Sequence, residues 1–78
     1  MSTTDLLWIT DAQYLNDYKI ALTFNTGLKK TVNLEEHLSG KIFEPLKQID
    51  NFKNFSISDW TIEWENGADM APEFLYSL

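Results

Sequence analysis

Apolar side chains fall at every second position from Tyr18 to Phe24 (Tyr18, Ile20, Leu22, Phe24), while Lys19 and Thr23 point the other way. A period of two is the pattern of a half-buried strand with one wet face. Upstream, Leu6 to Leu15 is a second extended candidate, and Asn16-Asp17 between the two suits a tight hairpin turn. Downstream, Asn25-Thr26-Gly27 supplies a turn, with glycine where a positive φ is needed. Leu28 to Leu34 continues as a third strand with Leu28, Val32 and Leu34 on one face and Lys30 near its edge. The three strands predict an antiparallel meander.

The middle of the chain changes character. Asn33 precedes Leu34-Glu35-Glu36 as a candidate N-cap for a short helix running through His37 and Leu38, which Ser39-Gly40 ends. Pro45 opens a second helical turn through Gln48, since proline is well tolerated at the first helical position. Alternation then returns: Phe55 and Ile57 against Ser56 and Ser58, a turn at Asp59-Trp60, then Ile62 and Trp64 against Glu63 and Glu65. Asn66-Gly67 is a strong turn signal, and Pro72 opens a last helical turn carrying Phe74, Leu75 and Tyr76. No repeat, low-complexity tract or linker interrupts the chain. The expected fold is α+β: a three-stranded antiparallel meander plus a C-terminal strand pair, with short helices packed on the sheet, in one unit from roughly residue 5 to 77.

Composition narrows the functions. The 78 residues carry 12 Asp plus Glu against 6 Lys and no Arg, a net charge of -6. Nucleic-acid affinity rests on cation–phosphate contacts, so this chain alone starts from repulsion, as it does toward an anionic membrane. A basic protein partner is the electrostatically favoured one. With no Cys, there is neither a disulfide framework nor a Cys-zinc site nor a Cys nucleophile. No apolar run is long enough to span a bilayer and the MSTTD start lacks a basic leader, so a cytoplasmic location is expected. Aromatics make up 14% of the chain, and most must serve the core, because small domains cover themselves poorly.

A search for chemistry returns little. His37 is the one conventional base near neutral pH, and it has no serine nucleophile motif to serve. Gly27, Gly40 and Gly67 are scattered singly, so no phosphate-binding loop exists. Glu63, Glu65, Asp69 and Glu73 gather near the C-terminus, with Glu63 and Glu65 expected on one strand face, yet their spacing matches no calcium loop. Asp69 is expected to accept backbone N–H groups ahead of the helix opened by Pro72. No catalytic residue, metal ligand or cofactor site is assigned. Trp60 sits at a turn beside Asp59, where burial is hardest to arrange. It is therefore the candidate anchor for a partner, with Glu63, Glu65, Asp69 and Glu73 as its acidic surround; the competing reading folds Trp60 back over the sheet.

Four stretches resemble a bacterial family known as domain of unknown function two-four-four-two. Tyr18 to Gly27 is similar to its "y-x-L-x-v-x-F-x-(D/N)-G" hairpin, and Val32-Asn33-Leu34 to its "V-D-L" step, with Asn33 in place of the usual Asp. Ile42 to Leu46 resembles "v-F-x-p-L". Ile62 to Tyr76 resembles the closing "i-x-W-p-N-G-a-D-l-a-P-e-x-L-y", with Glu65 where Pro is frequent. Its structural signature residues here are Trp64, Asn66, Gly67, Asp69 and Pro72. The resemblance implies a compact α+β fold, in some relatives placed ahead of a helix-turn-helix domain. It also implies a two-gene setting reminiscent of toxin–antitoxin pairs, and no enzymatic activity. The expected function is a non-enzymatic protein-binding module, antitoxin-like, for a small basic neighbour. The alternative is a metal- or carboxylate-dependent enzyme, or a small-ligand-binding domain, built on Asp69, Glu65 and His37.

Overall fold

A computed structural model describes residues 6–78. Strands β1 (Ile9–Asn16), β2 (Lys19–Phe24) and β3 (Lys29–Asn33) form an antiparallel sheet in the order β1-β2-β3. Two 3-10 turns, Glu35–His37 and Glu44–Lys47, lead to a single helical turn α1 (Ile49–Phe52). A second sheet pairs β4 (Phe55–Ser58) with β5 (Thr61–Trp64), and helix α2 (Pro72–Ser77) closes the chain. The fold is α+β, as the alternation predicts.

Burial follows the period-two pattern. Ile20, Leu22 and Phe24 are fully enclosed on one face of β2, while Lys19, Ala21 and Thr23 on the other stay half-buried because strands flank them on both sides. From the second sheet, Ile62 and Trp64 join them, with Leu34, Leu38, Leu46, Phe52 and Leu75 filling the space between. Phe52 is the hub. The rings of Tyr18, Trp64 and Tyr14 stand 5.2, 5.8 and 6.2 Å from its own, and its carbonyl accepts the buried Trp64 indole N–H at 2.7 Å. At the other end of the core the Tyr76 ring of α2 meets Phe24 edge-on at 5.1 Å.

Both glycine turns have one design. After Phe24 and after Trp64, a glycine at positive φ (Gly27 at 91°, Gly67 at 89°) donates its N–H back to the last strand residue, at 2.9 Å in each case. In each, the residue before the glycine accepts an N–H two positions on: Thr26 Oγ1 from Leu28, Asn66 Oδ1 from Ala68. Two-residue turns at Asp17-Tyr18 and Asp59-Trp60 also match, each opening on an aspartate at positive φ (48° and 59°). Aspartate tolerates that region better than most residues because its short side chain bonds locally.

The structure corrects several expectations. The first turn is Asp17-Tyr18 rather than Asn16-Asp17, and Asn16 pairs with Lys19. Tyr18 thereby leaves the strand, lays its ring on Phe52 and donates its hydroxyl to the Lys47 carbonyl. Leu28 falls in the turn, 40% exposed, rather than on the buried face. Asn33 does not cap an α-helix. Its Oδ1 takes the Glu35 N–H at 3.0 Å, which tightens the chain into a 3-10 turn whose N-cap position is Leu34. Helix α1 went unforeseen: a single turn carries too few residues for a period to show.

Two outcomes follow. Leu22→Ala removes a fully enclosed side chain and should cost about 2–5 kcal/mol in denaturant unfolding; an unchanged midpoint would mean β2 is registered differently. Gly67→Val has no atom within 4 Å of the new Cβ, and the backbone strain at a φ of +89° should cost of order 1–3 kcal/mol in the same assay.

Candidate functional site

Trp60 ends the two-residue turn between β4 and β5, and the turn geometry lifts its ring out of the sheet. It remains 50% exposed, neither folded over the sheet nor free of contacts. Its carbonyl accepts the Ile9 N–H at 2.8 Å, and its ring meets Trp8 edge-on with centroids 6.1 Å apart. That ties it to the segment Leu6-Leu7-Trp8, which precedes β1 and carries the most exposed large apolar side chain of the described residues, Leu6.

Two open hollows share Leu6 and Trp60. One, of about 390 Å³, is walled by Leu7, Ala71 and Pro72 and bordered by Asp69 and Glu73. The other, of about 480 Å³, lies against Trp8 and Asp59. Trp60 is thus a ridge between them. No lysine lines either. Two of the six lysines are engaged with acids one helical turn away, Lys47 with Glu44 at 3.3 Å and Lys53 with Asp50 at 3.6 Å. A third, Lys30, donates to the Tyr76 carbonyl and lies 5.8 Å from the centre of its ring. Among the described residues, the surround of Trp60 is therefore apolar apart from Thr61, and its only charges are negative.

The expected acidic cluster does not converge on Trp60 as a whole. Asp69 and Glu73 reach the Trp60 hollow, whereas Glu63 and Glu65 line a separate depression with Asn54, Phe55, Ser56 and Trp64. Glu65 does not share a strand face with Glu63, because β5 ends at Trp64 and Glu65 belongs to the glycine turn. Asp69 is not a helix cap either: α2 begins after Ala71 with no side-chain cap. Asp69 instead pairs with Glu63 as a one-residue antiparallel bridge, which adds a third segment to the second sheet. Among the signature residues, Trp64 is buried, Asn66 also donates to the Ile42 carbonyl at 2.7 Å, and Pro72 fills the first position of α2. His37 packs edge-on against Phe74 at 5.2 Å. Among the described residues, no group of three or more His, Asp or Glu is close enough to hold a metal ion, and no helix is long and apolar enough to cross a membrane.

Family comparison bears on the same elements. The family described as Protein of unknown function (DUF2442) matches residues 9–78, from the first residue of β1 to the end of the chain. The chain belongs to that family. No curated protein and no solved structure matches it significantly. The match covers the hairpin turns and the whole closing stretch, and leaves Leu6 to Trp8 outside it. Sequence reasoning missed that segment as a site component. Its one signal is three consecutive apolar residues, more than an alternating strand requires.

Because antiparallel partners project side chains to one face, Glu63 and Asp69 set like charges opposite each other. Asp69→Asn should therefore hold or slightly raise the melting temperature in low salt, and the gain should fade as salt is added. A clear loss of stability would overturn the reading of this pair as a like-charge repulsion.

Proposed function

We propose that this DUF2442 domain is a non-enzymatic protein-binding module, the antitoxin-like member of a two-gene pair, whose partner is a small basic protein. The observation that carries the reading is the half-exposed Trp60 ridge with carboxylates at its border. Large aromatic rings set among near-neutral contacts are the usual anchors of protein interfaces, and a rim of charge sets selectivity and encounter rate. The net charge of -6 supports a cationic partner. The two-gene setting that the family resemblance implies favours one that is encoded nearby.

The test is to purify the product of the adjacent gene and measure its association with this chain over a salt series. A stoichiometric complex is expected, with an association rate that falls as salt screens the approach and falls again for Glu63→Lys. A rate indifferent to both would remove the electrostatic argument. A thermal shift with divalent metal and none with the partner would move the reading to a carboxylate-bound metal.

A further inference from the structure

The hollows beside Trp60 are shaped by a latch from a different hairpin. Asn25, in the turn after β2, accepts the Trp8 N–H on Oδ1 at 2.9 Å and donates from Nδ2 to the Leu6 carbonyl at 3.0 Å. Its own N–H donates to the Trp8 carbonyl at 2.9 Å. Three bonds from one residue hold the backbone of Leu6 and Trp8, so Leu6 stands 68% exposed beside Trp60. A single exposed leucine needs no explanation. An apolar patch assembled from three separate stretches of chain (Leu6 to Trp8, Trp60, Ala71-Pro72) does, because such patches mark contact surfaces.

Charge decides what covers it. Among the described residues, every charged side chain of the lining is a carboxylate: Asp59, Asp69 and Glu73. A second copy docked by a two-fold axis would set these carboxylates against their own equivalents. Anionic lipid surfaces and anionic metabolites meet the same repulsion. A cationic occupant gains on both counts, since tryptophan is also the best aromatic face for an ammonium or guanidinium group. Shape points the same way: two shallow hollows flanking a raised ring suit a chain laid across a ridge rather than an enclosed small molecule.

Resting on the protein-binding reading above, we infer that Trp60 and its two hollows seat one continuous partner segment, in which an apolar side chain enters the Leu7–Pro72 hollow and a neighbouring lysine or arginine meets Trp60 and the bordering carboxylates. Asn25 is the positioning residue: it touches no partner atom but fixes the segment that forms the floor.

The experiment titrates the ¹⁵N-labelled full chain with a fluorescent peptide alternating leucine and lysine. Two sister peptides carry glutamate for lysine or serine for leucine. Amide shifts should concentrate at Leu6, Leu7, Trp60 and Glu73, and both sisters should bind at least about tenfold more weakly. Trp60→Ala and Asn25→Ala should each weaken binding about tenfold, Asn25→Ala with shifts lost at Leu6 while the core spectrum is retained. Should Asn25→Ala unfold, Trp60→Ala and the double change Asp69→Asn with Glu73→Gln carry the test. Removing the same charge elsewhere, by Glu35→Gln with Glu36→Gln, should change affinity by less than about twofold. Equal weakening by the two charge-matched pairs, or shifts centred on another face, overturns the inference. A neighbouring-gene partner that binds stoichiometrically but leaves Trp60 and Leu6 unshifted overturns the groove and leaves the binding-module reading standing. A peptide that seats as described while no protein partner associates supports the groove and overturns that reading.

Discussion

One hydrogen bond, from the Trp64 indole to the Phe52 carbonyl, sits where β1, α1 and β5 meet. The two sheets are separate ladders; the Ile9 N–H to the Trp60 carbonyl ties β1 to the turn between β4 and β5. What locks them is the ring cluster around Phe52, to which β1 contributes Tyr14, its following turn Tyr18, and β5 Trp64. A buried indole N–H without an acceptor is costly, so this bond fixes the register of β5 against α1 as well as adding to cohesion. One helical turn is marginal alone. Here it persists because Phe52, at its end, is fully enclosed.

From that joint outward, the chain uses one plan twice. An aspartate–aromatic turn, a strand, and a turn closed by glycine at positive φ run from Asp17 to Gly27 and again from Asp59 to Gly67. The second copy has a strand two residues shorter, four against six, and its third segment shrinks to the single bridge at Asp69. Side chains at matching positions have different work. Tyr18 turns inward onto Phe52, while Trp60, its counterpart, turns outward onto Trp8. The same backbone device thus supplies a core ring in one meander and a surface ring in the other.

This division explains how far the sequence could be read. Ile20, Leu22, Phe24, Ile62 and Trp64 announce their strands because a half-buried strand imposes a strict period, and Gly27 and Gly67 announce their turns because positive φ restricts residue choice. The exposure of Trp60 is legible for the same local reason, its place in a tight turn. Asn25 was not. Its bonds span 17 and 19 residues, and a long-range polar latch has no local pattern. The Asp17-Tyr18 turn was misplaced by one residue because the deciding contact, Tyr18 on Phe52, is tertiary. Asp69 was misassigned because an aspartate shortly before a proline-led helix looks like a cap, whereas Ala71 in extended conformation already carries the chain into α2.

Size also constrains where an exposed tryptophan can be carried. A domain of 78 residues has little surplus stability, so a large apolar ring left in water must sit where it does not compete with the core for partners. The β4–β5 turn meets that condition. Its neighbour Thr61 is anchored independently, its hydroxyl donating to the Met70 carbonyl at 2.6 Å, and Ile62 and Trp64 begin the buried face immediately after it. The Trp60 backbone is held by Ile9 while its ring remains half in solvent. Main-chain rigidity and side-chain exposure are therefore achieved at the same residue. In the proposed binding role, a backbone already held in place would lower the ordering cost of association. The carboxylates beside it do not draw on the core, since none of Asp59, Asp69 and Glu73 is buried. The fold can in this way hold an exposed aromatic surface and an uncompromised interior within one small chain.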